Sequence, residues 1–370
     1  MLFRHIKGRF KSSFKKTSLL MSSINYLYRN KMQEPYQDCN ETITNSKESA
    51  PSSESSQAFF SPFTANTLKI HSSFGFLYGC AYYSQKHNMI IACPSDNTVQ
   101  FYDATTLLPL KERENLKLDG SVKEISFQPE NDVFLLRCLS GSIYSYNVSL
   151  HAREKILKDN DIFALAVEFV DSKSFAVSAY SSSELQIGSL DDENLLRFDS
   201  RDSDPFYLHC LLKSRLLLTS LEGGSVLVYR TDKLPHLPVI GQLQAENSSG
   251  ESVALTQSFM MSGKEYVMTT AQDSAIKIWH KGKGKMRLVK VIRKDSIIRS
   301  WVYLENYKMI AVVYQFGKME FFRLASGKSE RTLKLKISDV RSMFLMKDKN
   351  MIGVTSSNQS LIEFVPLHPF

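Results

Sequence analysis

The sequence predicts an all-β protein folded as a seven-bladed β-propeller, preceded by a basic N-terminal extension. Three observations predict it. A phrase in which apolar and polar residues alternate recurs seven times, and it ends on an aromatic residue in six of the copies. Successive copies start 41 to 50 residues apart. The intervals between them contain further short strand patterns, and a period of about 40 to 45 residues built only of strands is typical of propeller blades.

The clearest copy of the phrase spans residues 271–279. A polar turn with Asp273 and Ser274 leads into a strand in which Ile276 and Ile278 face one side, and the strand ends on Trp279. The seven copies are anchored on the apolar residues Val99, Ile143, Leu185, Val226, Ile276, Met319 and Leu361. The third copy has Gly188 at the position where the other six copies have an aromatic residue. We therefore expect the third blade to be the least regular.

Each interval offers the same four strands, and the sixth shows them best. We expect an inner strand over residues 298–303, a middle strand over Met309–Tyr314, the anchor strand over 319–323 and an outer strand over 329–335. The middle run is apolar at every position. Such a run suits a strand that is packed between neighbouring blades on both of its faces.

The last blade lacks an outer strand of its own, because its anchor strand begins at Leu361, a few residues before Phe370. Residues 67–71 have the form of an outer strand and precede the first inner strand. Pairing these two segments closes the ring and removes its exposed edges. The propeller is therefore predicted over residues 65–370, with His71 ordering a turn through hydrogen bonds.

The repeats resemble those of the WD40-repeat family. Residues 273–279 carry its strand signature, and residues 326–334 look like its link from one repeat to the next. The sequence departs from the family in having one signature tryptophan, Trp279, in having His280 where Asp is usual, and in lacking the Gly-His pair. The resemblance implies a rigid platform that binds peptides or other domains at its rims and faces, with no enzymatic activity, no cofactor and no metal.

Bulk composition sets further limits. The chain has 370 residues, of which 43% are hydrophobic and 23% charged, and it contains no apolar run long enough to cross a bilayer. Its cysteines are five in number and form no C-x-x-C pair, and its histidines show no metal-ligand spacing. The cysteines indicate a reducing compartment, and they are Cys39, Cys80, Cys93, Cys138 and Cys210.

The net charge of +8 is confined to the N-terminus. Residues 1–33 hold eight basic residues and no acid, so the remaining chain has 38 basic and 38 acidic residues and is neutral. Apolar residues at helical spacing predict a basic amphipathic helix at the start of this segment. Its basic side chains are Arg4, Lys7, Arg9, Lys11, Lys15 and Lys16.

Several interpretations of residues 1–33 stay open. The segment fits a mitochondrial transit peptide, and it equally fits a helix that contacts an anionic membrane or nucleic acid. It also fits a disordered basic tail, or a stretch that is not translated if Met21 is the start. Residues 34–64 are rich in serine and poor in large apolar residues, which predicts a flexible linker.

The sequence contains no nucleotide-binding, zinc-protease or serine-hydrolase motif. Its densest basic stretch within the propeller lies between an anchor strand and an outer strand. This stretch is a candidate loop for an anion or an anionic partner, and the alternative is a solvated hairpin turn. Its residues are Lys281, Lys283, Lys285, Arg287 and Lys290.

Two functions are compatible with these observations. The favoured one is a non-enzymatic scaffold or adaptor, a subunit of a multi-protein complex. The alternative is a peripheral anionic-membrane or nucleic-acid binding protein that uses the basic N-terminal helix and the 281–290 loop. We expect the protein in the cytoplasm or nucleus, with the mitochondrion as the alternative.

Overall fold

The structure is a computed structural model. It describes residues 67–70, 72, 80–157, 164–179, 184–199, 205–221, 224–234, 236–244, 255–271, 274–282, 285–294 and 296–367. The predicted N-terminal helix and linker lie outside these residues, as do His71 and Lys283. The predictions made for them stay predictions.

The described chain forms seven antiparallel sheets of four strands, and each sheet is one blade. The strands of blades 1 to 3 are Ala81–Ser84 (β2), Met89–Ala92 (β3), Thr98–Asp103 (β4) and Leu116–Lys117 (β5); Val122–Gln128 (β6), Val133–Cys138 (β7), Ile143–Asn147 (β8) and Ala152–Leu157 (β9); and Ala164–Phe169 (β10), Ser174–Ala179 (β11), Glu184–Ser189 (β12) and Asp192–Asp199 (β13).

Blades 4 to 6 repeat the arrangement, and blade 7 takes its fourth strand from the N-terminal side. The strands are Pro205–Leu211 (β14), Leu216–Leu221 (β15), Ser225–Arg230 (β16) and Val239–Gln244 (β17); Leu255–Met261 (β18), Lys264–Thr270 (β19), Ala275–Lys281 (β20) and Met286–Arg293 (β21); Ile298–Leu304 (β22), Met309–Tyr314 (β23), Lys318–Arg323 (β24) and Ser329–Lys334 (β25); and Val340–Met346 (β26), Met351–Ser356 (β27), Leu361–Pro366 (β28) and Thr67–Lys69 (β1).

Within each blade we name the strands a to d in the order in which they pair, with β1 as strand d of blade 7. The a strands of neighbouring blades contact one another, so they surround the central channel. Because the strands are antiparallel, the a–b and c–d turns lie at one end of every blade, which we call the a–b face. The b–c turns and the d–a links lie at the opposite end, the b–c face.

The core lies between the blades, as the apolar middle runs predict. Every residue of the b strands β15, β23 and β27 is buried. The structure gives β23 the bounds that the sequence pattern predicts. Strands that are covered on both faces gain stability from each of their side chains, since about 25 cal/mol is gained per Å² of apolar surface removed from water.

Pairing of β1 with β28 closes the ring. The register joins Thr67 to Glu363 and Leu68 to Ile362, and the N–H of Ile70 donates to Ser360 O at 2.9 Å. Leu68 and Ile70 are buried in the core at this seam. The predicted closure is confirmed over the described residues.

Side chains also join blade 7 to blade 1. Two short 3₁₀ turns follow the a strands of blades 6 and 7, at Glu305–Tyr307 and Lys347–Lys349. Within the second turn, Asp348 accepts a hydrogen bond from the Tyr83 hydroxyl at 2.7 Å, and Lys349 Nζ donates one to Thr105 Oγ1 at 3.1 Å. Both hydrogen bonds join blade 7 to blade 1, the last and first blades of the ring.

Blade 3 has four strands, and the expected irregularity is seen where its strands c and d pair. The register of β12 and β13 shifts by two residues between Ile187 and Ser189, whereas it shifts by one residue at the corresponding point of blades 4 and 5. Gly188 pairs with Phe175, whose side chain is 2% exposed.

Candidate interaction surface

A groove of about 450 Å³ opens on the a–b face between blades 5, 6 and 7. The ends of the a strands β18 and β22 form its walls, and the 3₁₀ turn at Glu305–Tyr307 forms part of its rim. Phe259 and Tyr303 lie within the last three residues of β18 and β22, so both reach this end of the channel.

Aromatic rings line this groove. The ring centroids of Phe259 and Tyr303 are 4.5 Å apart, and those of Phe259 and Tyr266 are 5.6 Å apart. Trp301 packs edge-on against Phe259 at 6.2 Å. Contacting rings at these distances hold one another in place, which makes the groove a preformed surface.

A second groove of about 450 Å³ lies on the same face between blades 7, 1 and 2. It is lined by Tyr82, Tyr83 and Phe127, and Tyr82 packs against Phe127 with centroids 5.6 Å apart. Both grooves include Leu345 and Lys347 of blade 7. They therefore form one surface that runs around the channel mouth, which we call the aromatic face.

Charges occur at the rims of the aromatic face. Lys347 and Glu305 form an ion pair at 2.8 Å with both side chains more than half exposed. Burial raises the pKa of the Tyr303 phenol, and the Glu305 carboxylate and Tyr266 add to this effect. Tyr303 thus stays neutral and presents a hydroxyl group beside an apolar ring, which suits recognition of a partner through both.

The channel itself holds carboxylates and a histidine that sequence reasoning did not single out. Glu124 accepts the N–H of Val167 at 3.0 Å and pairs with Arg137 Nε at 3.1 Å. Burial raises the pKa of Glu124. Burial also raises the pKa of Glu168 to about 8, with a further contribution from the Glu124 carboxylate.

His209 occupies the same channel wall one blade further on. Its Nε2 accepts the backbone N–H of Ser258 at 2.8 Å and lies 3.0 Å from the Ser258 hydroxyl. Burial lowers the pKa of His209 to about 4. The imidazole is therefore neutral, with its proton on Nδ1, and its acceptor nitrogen is occupied by the main chain.

These polar residues share one structural role. The free edge of an a strand carries N–H groups that no strand pairs, and in four of the blades a side chain from the preceding blade accepts one or two of them. The acceptor–donor pairs are Glu124 with Val167, Ser126 with Phe169, Glu168 with Cys210, His209 with Ser258, and Ser300 with Met343. The geometry therefore assigns the channel carboxylates and His209 to joining blades.

A sequence signal for these residues exists in retrospect. The acceptor and the donor are 42 to 49 residues apart, which is the repeat period, and the donor follows the acceptor's equivalent position by one residue. The signal is a polar residue that recurs at the same inner-strand position, as Ser126, Glu168 and His209 do in blades 2, 3 and 4. This pattern identifies the position of the acceptor side chain, but its hydrogen-bond donor is known only once the blades are packed together.

The basic loop predicted over residues 281–290 does not converge on one point in its described part. Lys281 Nζ donates to Ser214 O of blade 4 at 3.2 Å, whereas Lys290 Nζ donates to Leu324 O of blade 6 at 2.8 Å. Lys285 and Arg287 are exposed at the hairpin turn, where the N–H of Gly282 donates to Lys285 O. The predicted anion site stays a prediction for these last two residues.

No group of three or more His, Cys, Asp or Glu side chains is arranged to hold a metal ion within the described ranges. No helix in the same part of the chain is long and apolar enough to span a membrane.

Comparisons with known proteins agree with this architecture. No protein-family model matches the sequence. The chain is 19% identical over 220 residues to a WD repeat-containing protein 55 homolog of Drosophila willistoni, a match that covers 58% of this chain and 42% of the relative's length.

A solved structure gives the same fold. The β-propeller domain of Cps50 (Swd1) from Myceliophteria thermophila superposes with a TM-score of 0.68 at 11% identity, and the match covers 81% of this chain and 99% of that domain. The chain is a seven-bladed β-propeller that resembles the WD40-repeat proteins in sequence and in fold.

Proposed function

We propose that the protein is a non-enzymatic interaction scaffold, a subunit of a multi-protein complex that binds a partner chain on the aromatic face. WD-repeat propellers as a family are protein-interaction scaffolds. The observation that supports the proposal in this chain is the pair of grooves that share Leu345 and Lys347.

The composition of the aromatic face suits a protein partner. Tyrosine, tryptophan and phenylalanine are enriched where binding energy concentrates, because rigid rings bury a large area at a small cost in conformational entropy. Each groove has the volume of an ordinary binding pocket. Two such pockets joined by Leu345 fit two anchoring side chains of one extended segment.

The test is a substitution at the junction of the two grooves. Leu345→Glu introduces a charge that a partner would have to desolvate, and Leu139→Glu is the matched control because Leu139 lies in a b–c turn on the other face. Complexes are purified with the wild-type chain and each variant, and their subunits are compared by quantitative mass spectrometry. Thermal unfolding of each variant checks that the ring is intact.

The expected result is the loss of one or more subunits from the Leu345→Glu complex only. Equal subunit content in all three preparations would contradict docking on the aromatic face. The alternative function inferred from the sequence has less support in the described loop, because Lys281 and Lys290 already donate to main-chain carbonyls.

A further inference from the structure

The b–c face of blade 6 carries two exposed apolar side chains side by side. Phe316, in the b–c turn, is 72% exposed, and Ile297, in the link that precedes β22, is 39% exposed. Ile298 pairs with Tyr314, so the two residues extend from the same end of one strand pair. Isolated apolar residues are common on surfaces, so this pair alone is not informative.

Four basic residues lie at the same end of blades 6 and 7 as these two residues. Lys318 and Lys334 pair across β24 and β25 at this end of the blade. Lys336 follows β25, and Arg341 is the second residue of β26 in blade 7. All four side chains are exposed. We call these four residues, together with Ile297 and Phe316, the basic tip.

The acids near the basic tip are occupied within the described residues. Glu320 pairs with Lys294 at 2.8 Å, and Glu363 accepts the N–H groups of Lys336 and Ile337 at 2.8 and 3.1 Å. Asp339 accepts a hydrogen bond from the Ser357 hydroxyl. Hydrogen bonds from neutral donors leave Glu363 and Asp339 negatively charged, so the four cations of the basic tip exceed these two carboxylates by two. Arg341 also lies within electrostatic range of Glu124 in the channel.

The turn that carries Phe316 is fixed in place. Lys334 Nζ donates to Phe316 O at 3.2 Å, and the N–H of Val340 donates to Gln315 O at 3.0 Å. Gly317 has a φ of +75°, and a Cβ at this position would lie 2.2 Å from Ile337 O. Only glycine fits there, so the close packing that positions Phe316 is built into the sequence.

Three kinds of anionic partner could bind the basic tip: a protein, a single-stranded nucleic acid or a lipid bilayer. The side chains of the basic tip favour the bilayer. Lysine is depleted in protein interfaces relative to other surface, which disfavours a protein. An aliphatic side chain such as Ile297 does not stack on nucleobases, which disfavours single-stranded nucleic acid. Apolar tips beside several lysines match the layers of a bilayer surface, where acyl chains lie under anionic headgroups.

We propose that the basic tip is a contact surface for an anionic phospholipid bilayer. Phe316 and Ile297 enter the interfacial region, and the four cations bind the phosphate and carboxylate groups of the lipids. Because the contact has few apolar residues, it is reversible and weakens as salt screens the charges. The aromatic face lies at the other end of the blades and remains open to a partner.

The test measures flotation of the full chain with phosphatidylcholine vesicles that contain or lack phosphatidylserine. One variant is Phe316→Ser, with Leu150→Ser as its control, because Leu150 is 74% exposed in the c–d turn of blade 2. The other is the double variant Lys334→Gln/Lys336→Gln. Its control is Lys111→Gln/Lys328→Gln, which makes the same charge change on the a–b face.

We expect binding only with phosphatidylserine, reduced about tenfold by Phe316→Ser and roughly twentyfold by the double variant. Both controls should bind like the wild type. All variants keep residues 1–33, so the contribution of that segment is constant. Variants that are folded and bind vesicles as the wild type does would overturn the proposal. So would losses seen only with single-stranded oligonucleotide or poly-glutamate, which would assign the basic tip to another anion.

Discussion

His209 Nε2 of blade 4 accepts the backbone N–H of Ser258 of blade 5 at 2.8 Å. The bond replaces strand pairing at the free edge of β18, where the main chain faces the channel. Equivalent bonds from Glu124, Glu168 and Ser300 join other blades. The channel wall is therefore stabilised by side chains as well as by packing.

Replacing His209 tests how much this bond contributes. His209→Ala leaves the Ser258 N–H without its acceptor, and a buried unpaired donor costs about 1 to 3 kcal/mol. We expect the free energy of unfolding to fall by that amount in urea titrations. His209→Gln keeps an acceptor oxygen and is the matched control. An unchanged value for His209→Ala would show that water replaces the side chain without loss.

The depressed pKa of His209 predicts a pH dependence. The unfolded state takes up a proton near pH 6.5, while the folded state does so only near pH 4. Between these values the unfolded state binds more protons, so this residue makes the protein less stable as pH falls through that window. Urea titrations at several pH values should show a flatter profile for His209→Gln than for the wild type.

Glu168 predicts a dependence of the opposite sign. Its folded-state pKa is about 8 and its ordinary value is 4.5. The folded state therefore holds the extra proton between these values, and this residue makes the protein less stable as pH rises. Glu168→Gln keeps the shape and cannot ionise, so its stability relative to the wild type should increase from pH 6 to pH 9. A constant difference would show that Glu168 is ionised in the folded ring.

Closure through β1 is tested by a pair of neighbouring residues. Leu68 is buried against blade 7, whereas Lys69 is exposed on the same strand. Leu68→Asp should lower the free energy of unfolding by about 3 kcal/mol or more, because a charge replaces a buried apolar side chain. Lys69→Asp should leave it nearly unchanged. Equal effects of the two variants in urea titrations would contradict closure at this seam.

We predict that the first 33 residues determine where the protein works. We expect the cytoplasm or the nucleus, with the mitochondrion as the alternative. Residues 1–40 fused to a fluorescent protein distinguish the two in cells by microscopy. A mitochondrial pattern would overturn the preference, and a diffuse signal would support it.

The sequence by itself determined the blades. The apolar run Met309–Tyr314 has the bounds of β23, because a strand buried on both faces favours apolar residues along its whole length. The likeness of residues 67–71 to an outer strand was enough to predict the ring closure. These features are local or periodic, and such patterns are visible in one dimension.

Only the tertiary structure decided which side chains meet. The five basic residues of the 281–290 loop are close in sequence, yet Lys281 and Lys290 turn toward blades on opposite sides. Phe316 and Arg341 are distant in sequence, and the hydrogen bond between Gln315 and Val340 brings their segments together. A surface on a propeller combines turns from several blades, so its composition depends on the order in which the blades pack around the channel.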